Sequence, residues 1–358
     1  MFQNQKGRTM TKHGKRMGLT WVELLVVLAV IGILIGMLMP AVRQVREPTG
    51  RTTCRNNFRH WGLAALNYES AHMQLPMGVG VKNEDDVLLA NPVSGFVSLL
   101  PFVEQGDLYD EIANSLVIDG TEYPAFETDL SDTKYAPWTK ENGTLFCPSL
   151  AESTNSKFGR TSYAFSIGDA ARNVSEQETL RGAYGYFKAN RLDEVTDGTS
   201  NTIGMVEIGG DQVESTNGGC LANGKAAWLD KPELVFSAVK DDAYVSGAKL
   251  IGRGSHWADG RAGVGLANTI LPFNSPSFQV QGSPTADGVY SAGSMHTGGG
   301  NVVMLDGSIH FISEDIDTGD GAATLTVEEM AEGVPSPHGV WGALGTVASG
   351  DDTQGWDR

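Results

Sequence analysis

Residues 24–42 form a run of 19 residues without a single charge. As a helix the run is about 28 Å long, close to the roughly 30 Å hydrocarbon core of a bilayer. A helix at the surface of a globular core keeps a polar face, so an all-round apolar stretch of this length predicts a membrane-spanning helix. Lys6, Arg8, Lys12, Lys15 and Arg16 precede it, with no acid among residues 1–18. By the positive-inside rule those five stay in the cytoplasm, which places everything after residue 42 outside. The expected location is a single pass of the cytoplasmic or inner membrane, N-terminus in and C-terminal domain out.

Glu23 stands just before this run, with only aliphatic neighbours on its C-terminal side. Acids at the centre of a bilayer cost roughly 2.5–3.5 kcal/mol on insertion scales, and an interfacial position lowers the cost. A cleaved secretory signal should end in a small-x-small site after a short apolar core. Here the core continues into MLMPAVRQVRE, which has no such site. An uncleaved anchor accounts for length and orientation but gives Glu23 no role.

The segment GLTWVELLVVLAVIGILIGMLMPAV resembles the type IV prepilin cleavage and methylation segment. The resemblance implies that a prepilin peptidase cuts after Gly18 and methylates the new amino terminus at Leu19. It also implies that Glu23 aligns subunits by meeting an amino terminus in a growing filament. Leu19 replaces the commoner phenylalanine and Trp21 is bulkier than the usual aliphatic, while the glycine–glutamate spacing is kept. The physics agrees, because a carboxylate in apolar surroundings is tolerable when paired with an ammonium group. It also favours the positive end of its own helix. After assembly the protein would belong to a periplasmic or cell-surface filament.

Pro40 and Pro48 predict a bend or a break in the helix. Beyond them Phe58, Trp61, Ala65 and Tyr68 recur at three- to four-residue spacing, an apolar stripe for packing. Pro76 and Gly78 end that segment. The rest of the chain reads as short strands between glycine-rich turns, 45 glycines falling in 358 residues without a G-X-Y period. The clearest hairpin is NVVMLDGSIHFI, where Asp306-Gly307 suits a type I′ turn.

The expected fold is therefore α+β and pilin-like. A long N-terminal helix, transmembrane and then amphipathic, packs on a large, mainly antiparallel β-rich domain. Its divisions are a leader (1–18), a transmembrane or filament-core helix (19–45), an amphipathic continuation (46–72) and an extracytoplasmic domain (73–358). The stretches CRNNFRHWGLAALNYESAH, FCPS, SYAFSIG, RLDEVTDGTSNTIGMVEIG and MHTGGGNVVMLDGSIHFISEDID resemble, in order, the landmarks of a pilin-like family abundant in planctomycetes. The function of that family's large C-terminal domain is unknown, so the resemblance carries no activity.

Charge narrows the function further. The net charge is -17, and since the first 18 residues hold five positive charges, the rest of the chain carries -22. Such a body repels phosphate backbones and has no basic stripe, which excludes nucleic-acid binding. There is no H-E-x-x-H, no G-x-S-x-G and no complete dinucleotide or P-loop fingerprint, so no enzyme is expected. Cys54, Cys147 and Cys220 form no C-x-x-C pair, so zinc-site spacing is absent. In an exported body one disulfide plus one leftover thiol is the simplest arithmetic. The pair expected is Cys54 with Cys147, although spacing does not fix connectivity.

Two loops offer ligand atoms. VTDGTSNTI supplies Asp197, Thr199, Ser200 and Asn201, oxygen donors suited to calcium or to a turn closed by its own side chains. MHTGGGN places His296 ahead of three glycines and Asn301, as a ligand- or metal-touching loop or a tight turn. No cofactor is expected beyond that calcium. Two functions remain. One is a pilin- or pseudopilin-like structural subunit whose partners are prepilin peptidase, further copies, the pilus or type II secretion machinery and the membrane. The other is a membrane-tethered extracytoplasmic module that captures a carbohydrate or other solute, favoured by an aromatic-lined concave site.

Overall fold

The computed structural model describes residues 20–82, 87–150, 156–175, 180–210, 219–241, 243–245, 249–280, 287–320, 324–351, 353 and 356, with backbone alone for 37–49, 220–221, 249–251 and 331. The chain divides into two compact units, 1–49 and 50–358. The first helix, α1, is Trp21–His72. A reciprocal capping box begins it. Thr20 donates to Glu23 Oε2 from its backbone nitrogen (2.8 Å) and its hydroxyl (2.9 Å), and the Glu23 N–H donates to Thr20 Oγ1 at 3.3 Å. Two orphan donors of the first turn are satisfied in this way. The backbone stays helical through Pro40 and Pro48, so the break foreseen there is absent.

The expected fold needs correction on two points. Among the described residues no helix is long and apolar enough to cross a membrane. The transmembrane segment expected over 19–45 is not supported, and neither is a long transmembrane-plus-amphipathic helix packed on an antiparallel domain. The second point concerns the sheets.

Beyond α1 the chain makes two ribbons, β1 (Val79–Lys82) with β2 (Leu88–Ser94) and β3 (Leu116–Ile118) with β4 (Thr121–Tyr123). Next come β5 (Tyr163–Ser166), β6 (Ile203–Glu207) and β7 (Cys220–Gly224), then a ribbon of β8 (Val239–Lys240) and β9 (Ala243–Tyr244). The remaining strands are β10 (Lys249–Gly252), β11 (Leu266–Ala267), β12 (Ser277–Val280), β13 (Gly288–Val289), β14 (Gly299–Met304) and β15 (Ile309–Ser313). One sheet has the order β11-β5-β6-β14-β15 and another β10-β7-β12-β13. β11 runs parallel to β5, and β12 parallel to β7. Both sheets are therefore mixed. Local turn signals announce antiparallel hairpins, whereas a parallel return needs a long connection and leaves no signal at a single turn.

The β14–β15 hairpin pairs Val303 with Ile309 around Asp306-Gly307. Only Gly307 has a positive φ (81°), and its N–H donates to the Met304 carbonyl. That is a type I turn closed by a left-handed glycine, where a type I′ turn was expected. Asp306 Oδ1 accepts from the Ser308 N–H at 2.8 Å and holds the turn in this form.

Within the 50–358 unit, Cys54, Phe58, Trp61, Ala64 and Ala65 are buried against the five-stranded sheet and its loops. Phe58 stacks on Tyr163 with centroids 4.2 Å apart, and Trp61 meets Phe96 edge-on at 5.1 Å. The Trp61 indole donates to the Thr144 carbonyl at 3.0 Å, which satisfies its polar edge. Gly62 permits the close approach, since a Cβ there would lie 2.7 Å from Val303 Cγ1 on β14.

His256 and His338 are two of the histidines buried in this body. His256 stacks on Phe158 at 4.3 Å and accepts from the Ala258 N–H through Nδ1, while His338 is fully buried. Loss of hydration disfavours the charged ring, pushing each down from 6.5 to about 4. The unfolded chain therefore binds more protons than the folded chain as pH falls from 6.5. Stability is fully present above 6.5 and is lost progressively down to about pH 4. We expect acid unfolding curves to show this loss, on the order of a few kcal/mol in all. His256→Asn, which keeps an acceptor for Ala258, should flatten the slope. An unchanged slope in that variant would show that His256 is not one of the groups responsible.

Candidate functional site

Four side chains from four separate segments meet inside the body: Cys54, Cys147, Glu207 and His296, all buried. Their ligand atoms lie within 4.8 Å of one another. Cys54 arrives on α1, one turn before Phe58. Cys147 follows the turn Gly143–Leu145, and its backbone N–H donates to Ser162 Oγ at 2.7 Å, beside β5. Glu207 is the last residue of β6, a central strand that is buried throughout. His296 lies in the turn leading into β14, where its N–H donates to Ser294 Oγ at 3.1 Å. That turn needs glycine at 299, because a Cβ there would fall 1.9 Å from the Ile312 carbonyl oxygen.

The Glu207 carboxylate is held from one side. Asn301 on β14 donates to it twice, from the backbone to Oε2 (2.8 Å) and from Nδ2 to Oε1 (3.0 Å). Oε1 also lies 2.6 Å from Cys54 Sγ and 3.8 Å from His296 Nε2. Cys147 Sγ is 3.5 Å from the same His296 nitrogen. Tyr163 donates to the Cys54 carbonyl at 3.3 Å, and its hydroxyl is 3.5 Å from the Cys54 sulfur. The two thiols separate in acidity. Hydrogen bonding from Cys54, helped by His296 and opposed by burial, brings Cys147 down to about 6. Cys54 moves up, as the donor to Cys147 in a buried place beside the Glu207 charge.

Cysteine, histidine and glutamate are also the residue types of a nucleophilic triad, but the geometry is wrong for one. A relay needs its nucleophile and its carboxylate on opposite ring nitrogens. Here Cys147 and Glu207 both approach Nε2. The arrangement is convergent, which suits the coordination of one small centre.

The expected site residues are scattered over the molecule. Gly18 and Leu19 lie outside the described residues. Glu23 is engaged with Thr20. Cys54 and Cys147 are neighbours, as anticipated for a disulfide pair, but both are free thiols. Asp197 is taken up by the C-terminal segment, accepting from the N–H groups of Ser349 (2.8 Å) and Gly350 (2.9 Å) and from the Thr346 hydroxyl. Asn201 donates to the Asp197 carbonyl, and the Thr199 carbonyl accepts from the Asp306 N–H. These contacts form a closed turn. His296 belongs to the buried cluster.

Glu207 went unnoticed in the sequence, since an acid at a strand end ordinarily faces water. A signal was nonetheless present. Four of the stretches that carry the planctomycete-type resemblance, CRNN, FCPS, MVEIG and MHTGGG, each bring one member of the cluster.

An open cleft of about 520 Å³ lies elsewhere on the body. Tyr68, His72, Phe102 and Tyr109 give it aromatic walls, and Lys82 and Asp110 add charge at its lining. Tyr68 and His72 stack 4.1 Å apart, with Phe102 edge-on to Tyr68 at 5.8 Å.

Residues 43–319 match the family model described as a protein of unknown function, DUF1559, and the chain belongs to that family. No curated protein and no solved structure matches the chain.

The Asp197 contacts make a prediction. Asp197→Ala should speed amide exchange over 346–350 and lower stability by about 1–3 kcal/mol, as the donors on the buried residues Thr346 and Ser349 lose this acceptor. The wild-type melting temperature should not respond to calcium or to a calcium chelator. A calcium-dependent rise would mean that this turn is a cation site after all.

Proposed function

We propose that the chain is a pilin- or pseudopilin-like structural subunit. On this reading a prepilin peptidase releases the leader between Gly18 and Leu19. The N-terminal helix then packs with further copies in a type IV pilus or type II secretion-type filament, displaying the body outside the cytoplasm. One observation supports it above the others. Twelve large apolar side chains between Trp21 and Ile35 are 42–74% exposed. Contiguous apolar surface of this extent marks an interaction site, and like helices of further copies would cover it.

The capping box changes what a test of Glu23 must separate. Its carboxylate has a local partner in Thr20, so an assembly role rests on charge and a capping role on shape. Glutamine at this position keeps the capping box and removes the charge. If the charge meets the Leu19 ammonium of a neighbour, Glu23→Gln and Glu23→Ala should both lose filament incorporation while the body stays folded. Normal incorporation of Glu23→Gln, with loss only in Glu23→Ala, would leave Glu23 a helix cap and nothing more. Intact-mass analysis of the native protein should show a mature chain starting at Leu19. A start at Met1 or near residue 43 would defeat the processing step.

A second reading, an exported module that captures a carbohydrate or other solute, is favoured by the aromatic cleft. Ring faces of Tyr68, His72 and Phe102 offer stacking surfaces, and Lys82 and Asp110 offer polar contacts. Binding to a glycan panel that is lost in Tyr68→Ala would favour this reading, and no binding across the panel would count against it.

A further inference from the structure

We propose that Cys54, Cys147, Glu207 and His296 form a buried structural site for one divalent transition-metal ion of the zinc class. The donor set carries the assignment. Two sulfurs, one imidazole nitrogen and one carboxylate oxygen are the ligand types zinc takes, and four protein ligands without an open position define a structural rather than a catalytic centre. The separations fit. Tetrahedral bonds of about 2.0–2.3 Å put neighbouring ligand atoms roughly 3.5 Å apart. Cys147 Sγ to His296 Nε2 is 3.5 Å, and His296 Nε2 to Glu207 Oε1 is 3.8 Å. Cys54 Sγ and Glu207 Oε1, at 2.6 Å, share a hydrogen bond and would part by about 1 Å once the proton gives way to the ion.

Electrostatics point the same way. A carboxylate and two cysteine sulfurs share a place with almost no access to water, and the ion-pair partner of Glu207 among the described residues is another member of the cluster, His296. Burying an uncompensated charge costs several kcal/mol, and a divalent cation at the centre offsets that cost. Binding deprotonates the cysteines and releases their protons to solvent. Asn301 then acts as a positioning residue. It grips the carboxylate by Oε2 through its backbone and by Oε1 through its amide, so that the acid faces the sulfurs. Such outer contacts fix ligand orientation.

The spacing argument in the sequence missed this site because it looks for ligands in adjacent pairs. Here α1, the loop before β5, the end of β6 and the turn before β14 contribute one ligand each. The ion would pin helix to sheet and both to two loops.

The test uses the full chain, without an affinity tag, purified without chelators. Elemental analysis should find one zinc per chain, and removal of the metal by a chelator should lower the melting temperature. Replacement by cobalt(II) should give tetrahedral visible bands with thiolate charge transfer. Cys54→Ser and Cys147→Ser should each weaken that charge transfer, and Cys220→Ser, on β7 of the other sheet, should leave metal content unchanged. Asn301→Ala should weaken zinc binding about 10- to 100-fold in competition with a chromophoric chelator. Should a cysteine variant fail to fold, the wild-type zinc stoichiometry and cobalt spectrum still decide the question. A native chain with a Cys54–Cys147 disulfide in its peptide map would overturn the proposal. So would a reduced, metal-free chain that takes up neither zinc nor cobalt.

Discussion

The body is organised by the docking of one helical stripe on one sheet. Phe58 and Trp61 are fully buried at that contact, and each such side chain contributes about 1.5–3 kcal/mol when removed from water. The stacking of Phe58 on Tyr163 fixes where the helix lies along β5. Since Tyr163 pairs with Glu207 across β5 and β6, the same contact sets Cys54, one turn before Phe58, beside the Glu207 carboxylate. The apolar stripe therefore does more than bury surface. It chooses which polar groups meet at its end.

The two units of the chain pose opposite problems. In the 50–358 unit Phe58 and Trp61 of α1 are inside, and the polar edge of the Trp61 indole is satisfied by Thr144. In the first unit the large apolar side chains from Trp21 to Ile35 are outside. A sequence under selection for a soluble monomer would not keep both. The contrast supports a division of labour in which one end of the chain is for association and the other holds its own shape. Thr20 and Glu23 complete the first turn of α1 by themselves, so a cap and the proposed assembly contact need not be alternatives. A carboxylate has room for both a backbone donor and an ammonium group.

What the sequence disclosed was mostly local. Phe58, Trp61 and Ala65 declared a packing face through their spacing, and the apolar alternation around Asp306-Gly307 declared a hairpin. Both depend on residues within a few positions of each other. The parallel pairing of β5 with β11 and of β7 with β12 depends on long connections whose course no turn residue reveals. The buried cluster is the extreme case. Cys54 and Glu207 are 153 residues apart, and Cys147 and His296 are 149 apart. No rule of spacing reaches that far. Asp197, by contrast, was legible as a polar turn, but its partners at 346–350 were not, since an acid and a distant chain segment carry no shared mark in the sequence.

Two sulfurs this close invite a disulfide, and the surroundings argue against that as the resting arrangement. A bridge would satisfy Cys54 and Cys147 alone. Glu207 would keep Asn301 but lose the Cys54 contact at Oε1, and its charge would remain buried with only His296 to balance it. A hydrogen bond lost from a charged group costs about 1.5–3 kcal/mol, comparable to the typical 2–4 kcal/mol that a disulfide contributes. A bridge thus gains little in this place, whereas a shared cation uses all four donors together. It would also explain why a glutamate and a histidine accompany the cysteines in the core of a body whose other acids are mostly at its surface. An oxidising compartment does not by itself reverse this, because a thiolate bound to zinc is held back from attacking the external disulfide that would oxidise the pair.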